Sequence, residues 1–93
     1  MNNLFELNYN FSEHTILRNM NETTLVYNTD TSDMYELNDV GAELFEILKK
    51  NTTMKNVFTE LCNIYTVTKE EIYDDVNEFV SRMVELGVVI PIE

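Results

Sequence analysis

The stretch that decides the fold is MYELNDVGAELFEILKK, Met34 to Lys50, in which an extended segment becomes a helix at Leu37-Asn38-Asp39 with no loop between. Tyr35 and Leu37 keep the two-residue period of a strand, whereas Val40, Leu44, Phe45 and Leu48 have the spacing of one helix face. Asn38 stands at the N-cap position, and its side-chain oxygen suits an early backbone N–H of the helix. Asp39 puts negative charge at the positive end of the helix dipole. A strand that runs straight into a helix fixes the angle between the two, and with it a groove beside the strand. Gly41 costs roughly 1 kcal/mol against alanine in a first turn, which predicts a close backbone contact there.

Upstream, every element reads as strand. Thr15–Arg18 and Thr24–Tyr27 are β-prone runs separated by the polar turn Asn19–Glu22. A second turn at Thr29–Ser32 leads into Asp33–Leu37, giving a three-stranded antiparallel meander. Before it, Phe5, Leu7, Tyr9 and Phe11 alternate with Glu6, Asn8 and Asn10. Residues 1–12 are therefore an added strand or an arm that docks on a partner, and residues 13–93 form the domain.

Downstream, every element reads as helix. The first spans about Asp39 to Lys50, with Lys49 and Lys50 at its negative end. Thr52 or Thr53 caps the second, whose inward face is Met54, Val57, Phe58, Leu61 and Tyr65. Thr68 and Glu71 form a capping box for the third, with Val67 and Ile72 as its hydrophobic staple, and Gly87 ends it. Ile72, Val76, Phe79, Met83 and Leu86 make its core stripe. A second flank, Tyr73, Asn77, Val80 and Val84, lies about 100° round the helix. That flank either packs on the strands or the arm, or stays open beside a sheet edge, where an extended peptide adds as a strand and every second side chain enters a pocket. Val88–Ile90 closes the chain as a short strand or an extended tail over the core.

Composition narrows the function. Ninety-three residues make one small domain, and 44% hydrophobic with 25% charged residues is ordinary for a soluble globule. No apolar run approaches the roughly 20 residues of a membrane span, and the opening Met1-Asn2-Asn3-Leu4 lacks the basic start of a signal peptide. A lone Cys62 forms no internal disulfide, which points to a reducing compartment and so to the cytoplasm. Seventeen acidic against six basic residues give a net charge of −11, so nucleic acid and anionic membranes are poor partners. A neutral or basic peptide, or a basic protein surface, fits better.

Catalytic constellations are not assembled. One His and one Cys do not make a metal cluster, and two glycines do not make a phosphate-cradling loop, so no metal or cofactor is expected. The pairs Glu70-Glu71 and Asp74-Asp75 read as a solvated helix face, His14 as a surface residue at a strand start, and Cys62 as packing beside the apolar stripe of the second helix.

These residues also carry a resemblance. The pattern strand-LN-x-x-G-helix, here Tyr35-Glu36-Leu37-Asn38-Asp39-Val40-Gly41 running on into AELFEILKK, is followed by VFTEL (Val57 to Leu61) and by EEIYDDVNEFVSRMVELGVV. In the last run Asp75-Val76, Phe79-Val80, Met83, Leu86 and Gly87 fall at matching spacing. Together, over roughly residues 14 to 90, they resemble the PqqD-like family, the peptide-recognition elements of ribosomally made, post-translationally modified peptides. The resemblance implies an α+β, winged-helix-like fold of three antiparallel strands followed by three helices. It also implies a non-catalytic adaptor that binds the leader segment of a precursor peptide and delivers it to a modifying enzyme, often a radical S-adenosylmethionine maturase. The leader would add to the third strand, Asp33, Met34, Tyr35, Glu36 and Leu37, and lie against Tyr73, Asn77 and Val80 of the third helix.

Two other readings compete with the adaptor: a winged-helix regulator that binds protein rather than DNA, and a structural subunit of a larger enzyme. A winged-helix DNA reader would drive its third helix among phosphates, but this helix carries Glu70, Glu71, Asp74, Asp75, Glu78 and Glu85 against Lys69 and Arg82. The alternating stretch before Ser12 lies outside the familiar pattern. It is expected to act as a placeholder on the vacant edge of this chain or of a neighbouring copy, making a homodimer through the arm.

Overall fold

The structure, a computed structural model, describes residues 4–92; the first three residues of the arm and the last residue of the chain lie outside the described residues. The meander forms as three antiparallel strands, β2 (Thr15–Met20), β3 (Thr23–Asn28) and β4 (Asp33–Leu37), in the order β2-β3-β4. The first turn is tighter than the polar run Asn19–Glu22 implies. Asn21 takes a left-handed conformation (φ 57°), so Asn19 and Met20 stay in the ladder opposite Thr24 and Thr23. The register aligns Leu17, Val26 and Tyr35 on the core face, and Ile16, Tyr27 and Met34 on the outer one. Two members of that outer row, Ile16 and Met34, are exposed.

Three helices follow, α1 (Asp39–Lys50), α2 (Met54–Tyr65) and α3 (Lys69–Glu85). The Asn38 side chain accepts the Gly41 N–H at 2.8 Å. A Cβ on Gly41 would stand 3.3 Å from Asn38 Oδ1 and 3.4 Å from Leu37 Cδ2, so the close neighbours are the side chains of the cap and of the last strand residue, in place of the backbone contact expected there. Thr53 caps α2 by accepting the Asn56 N–H, and α2 stops where Thr66 turns left-handed. Thr68 and Glu71 complete the capping box of α3. One inward residue was misplaced: Tyr65, at the end of α2, is 42% exposed, and its hydroxyl donates to the Glu43 carboxylate.

The arm is the main departure. Leu4–Glu6 forms a single 3-10 turn, and β1 (Asn8–Phe11) pairs antiparallel with β5 (Val89–Ile92), Asn8 opposite Ile92 and Phe11 opposite Val89. On its other side the Tyr9 N–H donates to the Thr52 carbonyl at 3.0 Å, and the Leu7 carbonyl accepts the Met54 N–H at 2.9 Å. The arm therefore lies on its own protomer, away from the edge of β4, as part of a second, two-stranded sheet. Leu4, Leu7 and Tyr9 are buried in the core formed by Phe45, Leu48, Met54, Phe58, Val76 and Met83. The Tyr9 hydroxyl donates to the Leu48 carbonyl at 2.5 Å. Among the described residues no helix is long and apolar enough to cross a membrane.

Candidate functional site: a groove beside an open strand edge

Strand β4 borders its sheet. One side pairs with β3, and the other has no strand partner among the described residues. Unpaired backbone N–H and C=O groups along such an edge are a template for an incoming strand. Next to it runs a groove of about 250 Å³. Tyr35, Glu36 and Leu37 form its strand wall, Asn38, Val40, Gly41 and Leu44 its floor, and Asp75, Glu78, Phe79 and Arg82 of α3 the facing wall.

The geometry follows from local sequence. Because Asn38 caps α1 immediately after β4, the first turns of α1 run away beneath the strand and bring Val40, Gly41 and Leu44 to the groove floor. Residues 75, 78, 79 and 82 follow the i, i+3, i+4, i+7 spacing of one helix face. At the far end, the buried Asn28 binds the strand hairpin to the last turn of α3. Its Nδ2 donates to the Leu86 carbonyl at 2.8 Å, while its Oδ1 accepts the Asp30 N–H at 2.9 Å.

The less exposed lining residues of the groove are apolar or aromatic and the charged ones are exposed. Phe79 and Tyr35 are half-buried and Leu44 is buried, while Glu36, Asp75, Glu78 and Arg82 are exposed. Among the described residues the Lys50–Glu60 ion pair at 2.6 Å and the contact of His14 Nε2 with the Glu13 carboxylate at 3.9 Å both lie elsewhere. The Lys50 contact holds the Glu60 carboxyl below its usual range. Among the described residues no group of three or more His, Cys, Asp and Glu side chains is placed to hold a metal ion.

The structure distributes the expected peptide-binding residues unevenly. Tyr35, Glu36 and Leu37 line the groove, and Asp33 and Met34 lie exposed on the same strand. The three expected on α3 are not on its wall. Val80 is 1% exposed, in the core with Val76 and Met83. Tyr73 lies 5.0 Å from the ring of Phe5 and is stacked on Phe58 at 6.2 Å. Asn77 is half-buried and does not line the groove. Phe5 of the arm covers the Tyr73 side of α3, Val80 lies in the core, and Phe79, expected in the core stripe, is half-buried against the core at the groove. In the sequence Asp75 reads as part of a solvated helix face, and Glu78 and Arg82 only as charges that bear on DNA binding. Their regular spacing around Phe79 was the available signal.

Residues 23–89 match the family of coenzyme PQQ synthesis protein D, PqqD. The chain belongs to the PqqD family. Two solved structures share its fold. TbiB1 in complex with the TbiA(beta) leader peptide superposes with a TM-score of 0.71 at 14% identity, covering 85% of this chain and 92% of that one. Lasso peptide synthetase B1 complexed with the leader peptide also gives 0.71, at 17% identity, covering 90% and 99%. No sequence among the curated proteins matches this PqqD-family chain. The family match spans β3 to the start of β5 and so includes β4, α1 and α3, the elements that build the groove.

Proposed function

We propose that this PqqD-family protein is a non-catalytic adaptor that captures the leader segment of a ribosomally made precursor peptide and presents it to a modifying enzyme, such as a radical S-adenosylmethionine maturase. The observation that carries the reading is the open edge of β4 beside the groove of α3. Main-chain hydrogen bonds to such an edge supply affinity, and pockets for alternate side chains supply selectivity. Both structural neighbours, TbiB1 and the lasso peptide synthetase B1, were solved with leader peptides, and the fold they share with this chain supports the same use here. The backbone contacts are those of Asp33–Leu37. Along α3 the side-chain contacts fall to Asp75, Glu78, Phe79 and Arg82, in place of Tyr73, Asn77 and Val80.

The absence of catalysis is supported by where the reactive groups stand. His14 is exposed in the turn before β2, and the carboxylates of α3 sit on its solvated face. A free, half-buried Cys62 suits a reducing compartment such as the cytoplasm. The arm, engaged within its own protomer, gives no support to a homodimer built through it.

Titration of the isotope-labelled chain with a synthetic leader from a precursor gene beside its own tests the reading. Amide shifts should concentrate in Asp33–Leu37 and along α3. Binding with shifts confined to other elements would refute strand addition to β4.

A further inference from the structure

We propose that the peptide taken by this groove is cationic: an extended segment with apolar side chains facing α3 and lysines or arginines flanking them. The inference rests on the adaptor reading and goes further, to the chemistry of the ligand.

Three exposed carboxylates, Glu36 on the strand side and Asp75 and Glu78 on the helix side, line a groove together with the less exposed Tyr35, Leu44 and Phe79. Glu36 stands in the outer-face row of the sheet and Asp75 and Glu78 on the helix wall, so an incoming strand meets carboxylates on either side of the edge. Exposed charge at such an edge acts on an incoming chain over about one Debye length (~8 Å at physiological salt). An acidic segment is repelled there, and a lysine or arginine on either face of the added strand is attracted.

The cations nearby do not cancel these carboxylates. Arg82 is the one cation lining the groove among the described residues, and it makes no ion pair there. Arg18, in the row of Leu25 and Glu36, lies over the Tyr27 ring at 5.9 Å, two strands from the edge. Lys69, at the start of α3, is drawn over the Phe5 ring at 5.8 Å, on the side of the helix that the arm covers. Arg82 is thus left for a carbonyl or a single carboxylate of the peptide. On the outer face, alternate peptide side chains would extend the row that ends in Met34, so an apolar residue is favoured there.

The test is a selection of random displayed peptides on the intact chain, followed by amide mapping and affinity measurement for the winners. Two triple variants separate the groove from bulk charge. E36Q/D75N/E78Q neutralises the groove carboxylates, and E6Q/E13Q/E46Q removes the same charge from exposed positions elsewhere. Winners should be enriched in Lys and Arg and should shift the amides of Asp33–Leu37. They should bind the groove variant on the order of tenfold more weakly at low salt, and the control variant within about twofold. Winners that seat on β4 without basic enrichment, or that lose affinity equally in both variants, overturn the charge inference and leave the adaptor reading intact. Winners that leave β4 and α3 unshifted overturn both.

Discussion

Asn28 and Gly87 are a single device built from two distant residues. The Asn28 side chain, 5% exposed, is held by the Leu86 carbonyl and by the Asp30 and Thr31 amides, and it lies against the backbone of Gly87. Gly87 adopts φ +80°, and a Cβ there would fall 2.6 Å from Asn28 Nδ2. Gly87→Ala therefore meets both backbone strain and a clash, and should cost about 1–3 kcal/mol. Asn28→Ala loses buried hydrogen bonds and should cost about 1–3 kcal/mol as well. In the double variant the clash disappears, so the combined loss should be smaller than the two single losses together. Urea unfolding of the four proteins checks this; strict additivity would show that Asn28 does not impose the glycine. The sequence made half of this pair legible. Gly87 reads as a helix end, and Asn38, Thr68 and Glu71 read as caps, because each acts on backbone within a turn of itself. Asn28 sits 58 residues from Leu86 and has no local signature, so nothing marks it as the tie between hairpin and helix.

The elements divide in the same way. Strand, turn and helix followed from periodicity, and the junction Leu37-Asn38-Asp39 fixed where sheet gives way to helix. What periodicity does not fix is which half of a wide apolar arc is covered. On α3 Phe5 of the arm covers the Tyr73 side, while Val80 lies in the core and Phe79 at the groove. The arm was the element least legible, since alternation identifies a strand and leaves its partner open. Its pairing with β5 and burial in the core make truncation a stability experiment. Removing residues 1–10 would strip Leu4, Leu7 and Tyr9 from the core, each 7% exposed or less. Large-to-small changes at such sites cost about 2–5 kcal/mol apiece, against a total stability of about 5–15 kcal/mol for a domain. The truncated chain should lose its cooperative melt by circular dichroism instead of gaining peptide affinity. A sharp transition near that of the full chain would mean the arm is dispensable.

For the whole molecule, the net charge of −11 makes alkaline pH the weak flank, and Tyr9 sets where it gives way. Tyr9 is fully buried where the arm, α1 and the two-stranded sheet meet, and its hydroxyl donates to the Leu48 carbonyl. Burial pushes its phenol far above the ordinary value of 10.0, because a phenolate there would lose its water. The unfolded chain keeps the ordinary value. The folded pKa is thus the higher one, so the contribution of Tyr9 is complete below about pH 10 and is lost as pH climbs from there toward the folded value. Tyr65 is also raised, chiefly by its hydrogen bond to Glu43, but it is exposed and ionises without opening the core. Urea midpoints should therefore hold steady from neutral pH to about 9 and fall beyond 10, while Tyr9→Phe, less stable at neutral pH through loss of the Leu48 bond, should fall less steeply. Equal slopes in the two proteins would assign the alkaline loss to general charge repulsion. A steeper slope in the parent places it at the one phenol that joins arm, helix and sheet, because only in the parent does unfolding expose a core phenol that then gives up its proton.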